Sequence, residues 1–241
     1  MGRWMSIKQT KMAGDARKSA IFAQLSKEIS VAARLGGPDP AFNFRLRNAI
    51  DKAKPLGMPA NNIQKAIEKY ASGKTAEQFE EILYEGYGPN GVAILLQAAT
   101  DNRNRTASDL RMIFGKYDGN LGESGCVSWG FKHLGLINVA FKQKNYDLKE
   151  DKILELIEKL NLEDFDLTSD PENYLLYTSI ENLEHELTEV KKHYACSAEI
   201  TYLPTNKIEI SDSEISEKLD KLLEKLEDYD DVNNLFHNAD F

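Results

Sequence analysis

Hydrophobic positions fall into two regimes along the chain. In residues 16–35, Ile21, Leu25, Ile29 and Ala32 recur every three or four positions, the spacing of one helical face, and GGPDP at 36–40 ends that helix. The same period predicts a second helix over 43–54 through Leu46, Ile50 and Ala53. It predicts a third over 60–70 through Ile63, Ile67 and Tyr70, with Pro59 at its entry. ASGKTAEQ at 71–78 reads as a linker. Beyond it the period changes. Strand-like runs at 91–99, 127–132, 136–141, 174–180, 198–203 and 207–210, with a short one at 235–237, are interleaved with helices near 106–117, 149–161, 181–193 and 213–227. The expected class is therefore α+β: a small all-helical domain in residues 1–75, then two small sheet-and-helix domains. The helix at 213–227 sets Ile215, Leu219, Leu222 and Leu226 on one face and acids on the other, which describes a packed, solvated helix and requires no further role.

Charge sharpens this division. The chain of 241 residues carries a net −9, yet residues 1–75 hold 14 Lys and Arg against 5 Asp and Glu, whereas the remainder holds 16 against 34. A basic module of net +9 is attached to an acidic body of net −18. Lysines and arginines that merely solvated helices would be matched by glutamates in similar numbers, so the imbalance points to a polyanion, nucleic acid first. The longest apolar run, VAILLQAA at 92–99, is far shorter than the roughly 20 residues of a membrane span, and no membrane partner is expected. Cys126 and Cys196 stand far apart without a C-x-x-C partner, which argues against a disulfide framework or a zinc site and for a cytoplasmic setting.

Three motifs carry possible chemistry. GYGPNG at 86–91 satisfies G-x-G-x-x-G, but it precedes a strand instead of opening a helix and contains Pro89, so a turn into the strand is the better reading. HELTEVKKH would place His185, Glu189 and His193 on one helical face, but without the H-E-x-x-H spacing, and they read better as polar residues on the solvated side of an acidic helix. No Ser, Cys or Asp arrangement around His133 or His237 suggests a triad. No enzyme, metal or cofactor is expected. TDNRNRT at 100–106 lies at a strand-to-helix turn, where Asn104 or Thr106 would cap the helix with Asp109 completing an approximate capping box. Arg103 and Arg105 would add anion donors where a helix N-terminus already attracts anions.

These residues, with YEGYGPNGVA before them, resemble the signature of the YebC/PmpR family, which includes the mitochondrial translational activator of cytochrome c oxidase subunit one. The resemblance runs through WMSIKQTKMAGDARKSAIF, EISVAARLGGPDP, RLRNAIDKA, GMP, YLPTN and LEDYDDVNNLFHN. The chain departs from it at Ser6 and Gln9, where the family usually has Asn and His, at the MGR start, and at Ala60, where a basic residue is common. These departures lie in the part that would meet nucleic acid. The resemblance implies three domains: helical residues 1–75, a discontinuous ferredoxin-like α/β domain of 79–133 and 204–241, and an α/β domain of 134–203 inserted in it. It also implies a non-enzymatic regulator of gene expression. Its first partner would be ribosomal RNA or tRNA on the ribosome, as a translation factor that relieves stalling, and DNA would be the alternative. The residues expected to meet nucleic acid are Lys8, Lys11, Arg17, Lys18, Lys27, Arg34, Arg45, Arg47, Lys52, Arg103 and Arg105.

Overall fold

The computed structural model describes residues 21–71, 80–140, 155, 157–160, 162–166 and 173–241. The chain forms two compact units, one from the N-terminal part through Val127 together with Ile208–Phe241, the other from Ser128–Lys207.

In the first unit, helices α1 (21–36), α2 (Phe44–Ala53) and α3 (Ala60–Ala71) bury the apolar stripes expected of them. Leu25, Ile29, Ala32, Leu46, Ile50, Ile63 and Ile67 share one core. A single buried amide closes the α1–α2 turn. Asn43 accepts from Leu46 N at 3.0 Å as the α2 cap, while its Nδ2 donates to the carbonyls of Ala32 at 2.8 Å and Gly37 at 2.7 Å. Gly37 takes φ +91°, which a side chain would resist.

The same unit contains a four-stranded sheet in the order β3 (Asn120–Leu121), β1 (Glu80–Tyr87), β2 (Ala93–Thr100), β9 (Val232–His237), all neighbours antiparallel. Helices α4 (Arg103–Lys116) and α6 (Ser213–Glu227) pack on it through Leu110, Phe114, Leu219, Leu222 and Leu226 against Ile94, Leu96 and Val232. A short parallel pair joins β8 (Ile208–Glu209) to β10 (Ala239–Asp240). GYGPNG forms the end of β1 and the hairpin turn into β2. Asn90 and Gly91 supply the positive φ values, and a Cβ on Gly86 would lie 2.8 Å from both the Asn120 carbonyl and the Phe114 ring. That is the turn role read from the sequence, without a nucleotide cradle.

The second unit is a sheet in the order β5 (Leu162–Asp166), β6 (Asn173–Thr178), β4 (Phe131–Ala140), β7 (Ala195–Pro204). Helix α5 (Leu183–Lys191) packs on it, with Leu183 filling the space that the missing side chain of Gly135 leaves. Ile137, Val139, Leu176, Leu187 and Val190 are buried.

The class is the expected α+β, with differences in detail. The runs expected as strands at 127–132 and 136–141 are one strand, Phe131–Ala140, because Gly135 stays in register with Thr178 and Ile200 on either side. Strands β1 and β5 have no counterpart among the strand-like runs. The helix expected over 149–161 falls largely outside the described residues; of those described within it, 155 and 157–159 are helical.

Candidate nucleic-acid interface

The TDNRNRT turn is built on β2 and α4. Asn102, in extended backbone, caps the helix by accepting from Arg105 N at 3.1 Å. This corrects the expected cap at Asn104 or Thr106. The helix already begins at Arg103, which places Thr106 inside its second turn, where the Thr106 hydroxyl donates to Asp231 Oδ2 at 2.7 Å. Asp109 does not complete a capping box, since its carboxylate accepts from the Tyr229 hydroxyl at 2.7 Å. Burial, then that bond to Asp109, pushes the Tyr229 phenol up to about 12. The Tyr84 hydroxyl donates to the Arg103 carbonyl at 3.1 Å and so anchors the start of the helix.

Asp231, just before β9, is the centre of this region. Its carboxylate accepts from Thr106, from Arg105 Nη2 at 2.9 Å and from Lys27 Nζ at 3.1 Å. Burial alone would raise its pKa. The donors from Thr106, Arg105 and Lys27 outweigh burial and hold it down at about 2. Gln24 on α1 donates to the Val232 carbonyl at 3.0 Å, so α1 is fastened to the β9 region by two neighbouring side chains.

The expected contact residues are placed as follows. Lys8, Lys11, Arg17 and Lys18 lie outside the described residues. Four of the others have carboxylate partners: Lys27 on Asp231, Arg45 on Glu81 through Nη1–Oε2 at 2.7 Å and Nη2–Oε1, Lys52 on Glu28 at 3.6 Å, and Arg105 on Asp101 at 2.8 Å and Asp231. Arg47 donates to the carbonyls of Pro40 and Ala41 and lies over the Phe44 ring, bracing the α1–α2 loop that presents Phe42 90% exposed. Arg34, at the end of α1, and Arg103 are exposed. Of these, Lys27 and Arg105 are brought together at Asp231.

A family model described as "TACO1/YebC protein N-terminal domain" matches residues 2–73, and one described as "TACO1/YebC second and third domain" matches 79–239. The chain belongs to the TACO1/YebC family. A probable transcriptional regulatory protein of Sulfurihydrogenibium sp. (strain YO3AOP1) is 46% identical to this TACO1/YebC chain, over 99% of it and 94% of the relative. Another from Cyanothece sp. (strain PCC 7425 / ATCC 29141) is 46% identical over 98% and 93%. The crystal structure of a conserved hypothetical protein from Aquifex aeolicus matches with a TM-score of 0.83 at 44% identity, covering 94% of this chain and 91% of that one.

Sequence reasoning missed Asp231 and Glu85 in this TACO1/YebC fold. Glu85, buried within β1, accepts from Gly125 N at 2.6 Å and Val127 N at 2.8 Å and fixes the loop after β3. The signal that points to Asp231 is the acid-poor TDNRNRT turn itself, which needs an anion supplied from elsewhere. Among the described residues no group of His, Cys, Asp and Glu is arranged to hold a metal ion, and no helix is long and apolar enough to cross a membrane. The helix expected to carry His185, Glu189 and His193 on one face ends at Lys191, so His193 lies in the turn beyond it, and Glu189 accepts from Lys192 at 2.5 Å, a bond that lowers its pKa.

Proposed function

We propose that this protein is a non-enzymatic, nucleic-acid-binding regulator of gene expression. Its basic N-terminal helices sit against ribosomal RNA or tRNA, and it acts on the ribosome as a translation factor that relieves stalling or activates translation. The carrying observation is the charge division, net +9 in residues 1–75 against net −18 in the rest. Phosphate attraction and counterion release would provide most of the affinity. Co-sedimentation with ribosomes at moderate salt tests this, and a protein that stays in the supernatant overturns it. Changing Lys8, Lys11, Arg17 and Lys18 together to Ala should weaken binding and flatten its salt dependence by about 0.7–0.9 for each phosphate that is no longer neutralised. An unchanged slope removes those four side chains from the interface.

A second reading, a DNA-binding transcriptional regulator, is favoured by the names of the relatives, which are called probable transcriptional regulatory proteins. It requires one duplex sequence bound well above random duplex. A protected footprint on a single promoter, without ribosome binding, would establish it.

A further inference from the structure

In the acidic part of the chain, several described lysines are paired with carboxylates: Lys192 with Glu189, Lys218 with Asp118, Lys221 with Glu217, Lys225 with Asp228. One flank of α4 carries two arginines that are not. Arg103 and Arg111 are both exposed, eight residues apart on a continuous helix, and among the described residues neither guanidinium has an ion pair. The acids nearest in sequence are engaged elsewhere, Asp101 by Arg105 and Asp109 by the Tyr229 hydroxyl. Asp231 is held by three donors.

Arg103, Ala107 and Arg111 follow at i, i+4 and i+8, with Asn104 and Ser108 exposed beside them. At a rise of 1.5 Å per residue the two arginines are about 12 Å apart along the axis, too far for one small anion and suited to phosphates along one strand. Ala107 and Ser108 between them are short and allow close approach, and Arg103, Asn104, Ala107, Ser108 and Arg111 include no aromatic side chain of the helix itself. Such a surface contacts a paired stem by its backbone, and the Asn104 amide and Ser108 hydroxyl can reach 2′-hydroxyls.

We propose that this flank of α4 is a further phosphate-contacting surface, for the backbone of structured RNA, additional to the basic N-terminal helices. The inference rests on the nucleic-acid-binding reading above and adds a point of attachment inside the acidic body. Engagement by this flank as well as by the N-terminal helices would constrain the orientation of the bound protein more than either alone.

The test uses the full chain, a long-stemmed RNA hairpin and a DNA hairpin of the same sequence, with binding followed by fluorescence anisotropy from about 50 to about 200 mM KCl. The double variant Arg103→Gln, Arg111→Gln should lower the salt slope for RNA by about 1.5 and weaken binding roughly tenfold to fortyfold at 0.1 M salt. Arg111→Gln alone should give about half that slope change, with an unaltered thermal melt, and Arg103→Lys with Arg111→Lys should restore most of the slope. If the Gln variants bind like wild type while the four-fold Ala variant of the N-terminal helices is weakened, this inference fails and the proposed function stands. RNA binding absent from the wild type overturns both. A DNA hairpin bound as tightly, and weakened equally by the Gln variants, overturns the assignment to RNA.

Discussion

Asp231 is a single carboxylate that does what none of the basic residues around it could do alone: it lets Lys27, Arg105 and Thr106 converge without mutual repulsion. Its side chain is 10% exposed and makes charge-assisted bonds to Lys27 Nζ and Arg105 Nη2. The carboxyl titrates near 2 in the folded chain against an ordinary 3.8. Between those values the unfolded chain binds more protons than the folded one. The stabilisation is therefore complete above about pH 4 and disappears as pH falls toward 2. Asp231→Asn keeps the shape and removes the charge. It should lower the free energy of unfolding of the first unit by about 2 kcal/mol at neutral pH, the scale set by removing a hydrogen-bonded charge. The difference between wild type and variant, followed by circular dichroism in urea, should shrink between pH 4 and pH 2. A constant difference across that range would show that the carboxylate charge is not the stabilising feature.

At the level of elements, amphipathic periodicity locates the helices closely: 43–54 is Phe44–Ala53, 60–70 is Ala60–Ala71, and 213–227 is Ser213–Glu227. Each buries one stripe in a core, so its period survives in the sequence. Strand β1 escapes because EEILYEGY is rich in acids. Glu80 and Glu81 lie at its exposed start, and buried Glu85 is kept as an acceptor for the backbone of Gly125 and Val127, a use that depends on a loop forty residues away. Strand β5, LEDFD, is an edge strand with four of its five residues exposed and so carries no buried stripe to read. The α4 start shifts from 106 to Arg103 because the cap depends on which of two asparagines adopts extended backbone. Of the candidate site, the concentration of cations is legible, but their partners are not, since Asp231 and Glu81 come from distant segments. Packing of α4 on β1 makes a sharp prediction. The Phe114 ring is fully buried against Gly86 and Gly119. Gly86→Ala would drive its new methyl into the Asn120 carbonyl as well as the ring, and the carbonyl cannot swing aside. It should cost about 1–3 kcal/mol, whereas Phe114→Ala should cost about 3–5 kcal/mol through its cavity. Urea titration of both variants checks the order, and an inverted order would mean that the strand gives way more easily than the ring.

For the whole molecule, the decisive relation is between the basic N-terminal helices and the acids that face them from outside residues 1–75. Arg45 is held by Glu81 on β1, and Lys27 by Asp231 before β9, so part of the net +9 is answered within the folded unit. A molecule of net −9 is repelled by a polyanion at long range and attracted only within about a Debye length of its cationic surface. On the proposed function, pairing some cations internally would restrict adsorption to partners that present phosphates in the matching arrangement. Glu81→Gln isolates this effect. The Arg45–Glu81 pair is partly solvated, with side chains 42% and 31% exposed, so the loss of stability should stay below about 1 kcal/mol. Releasing Arg45 should instead tighten RNA binding and steepen its salt dependence by about 0.7–0.9, the increment for one further phosphate neutralised. The same variant should bind unrelated RNA more strongly in proportion, because phosphate contacts carry no sequence information. Anisotropy titrations on a structured RNA hairpin and an unrelated single strand, each across a salt series, measure both quantities. An unchanged slope on both would take Arg45 out of the interface, and leave the Glu81 pair as an attachment of α2 to β1 alone.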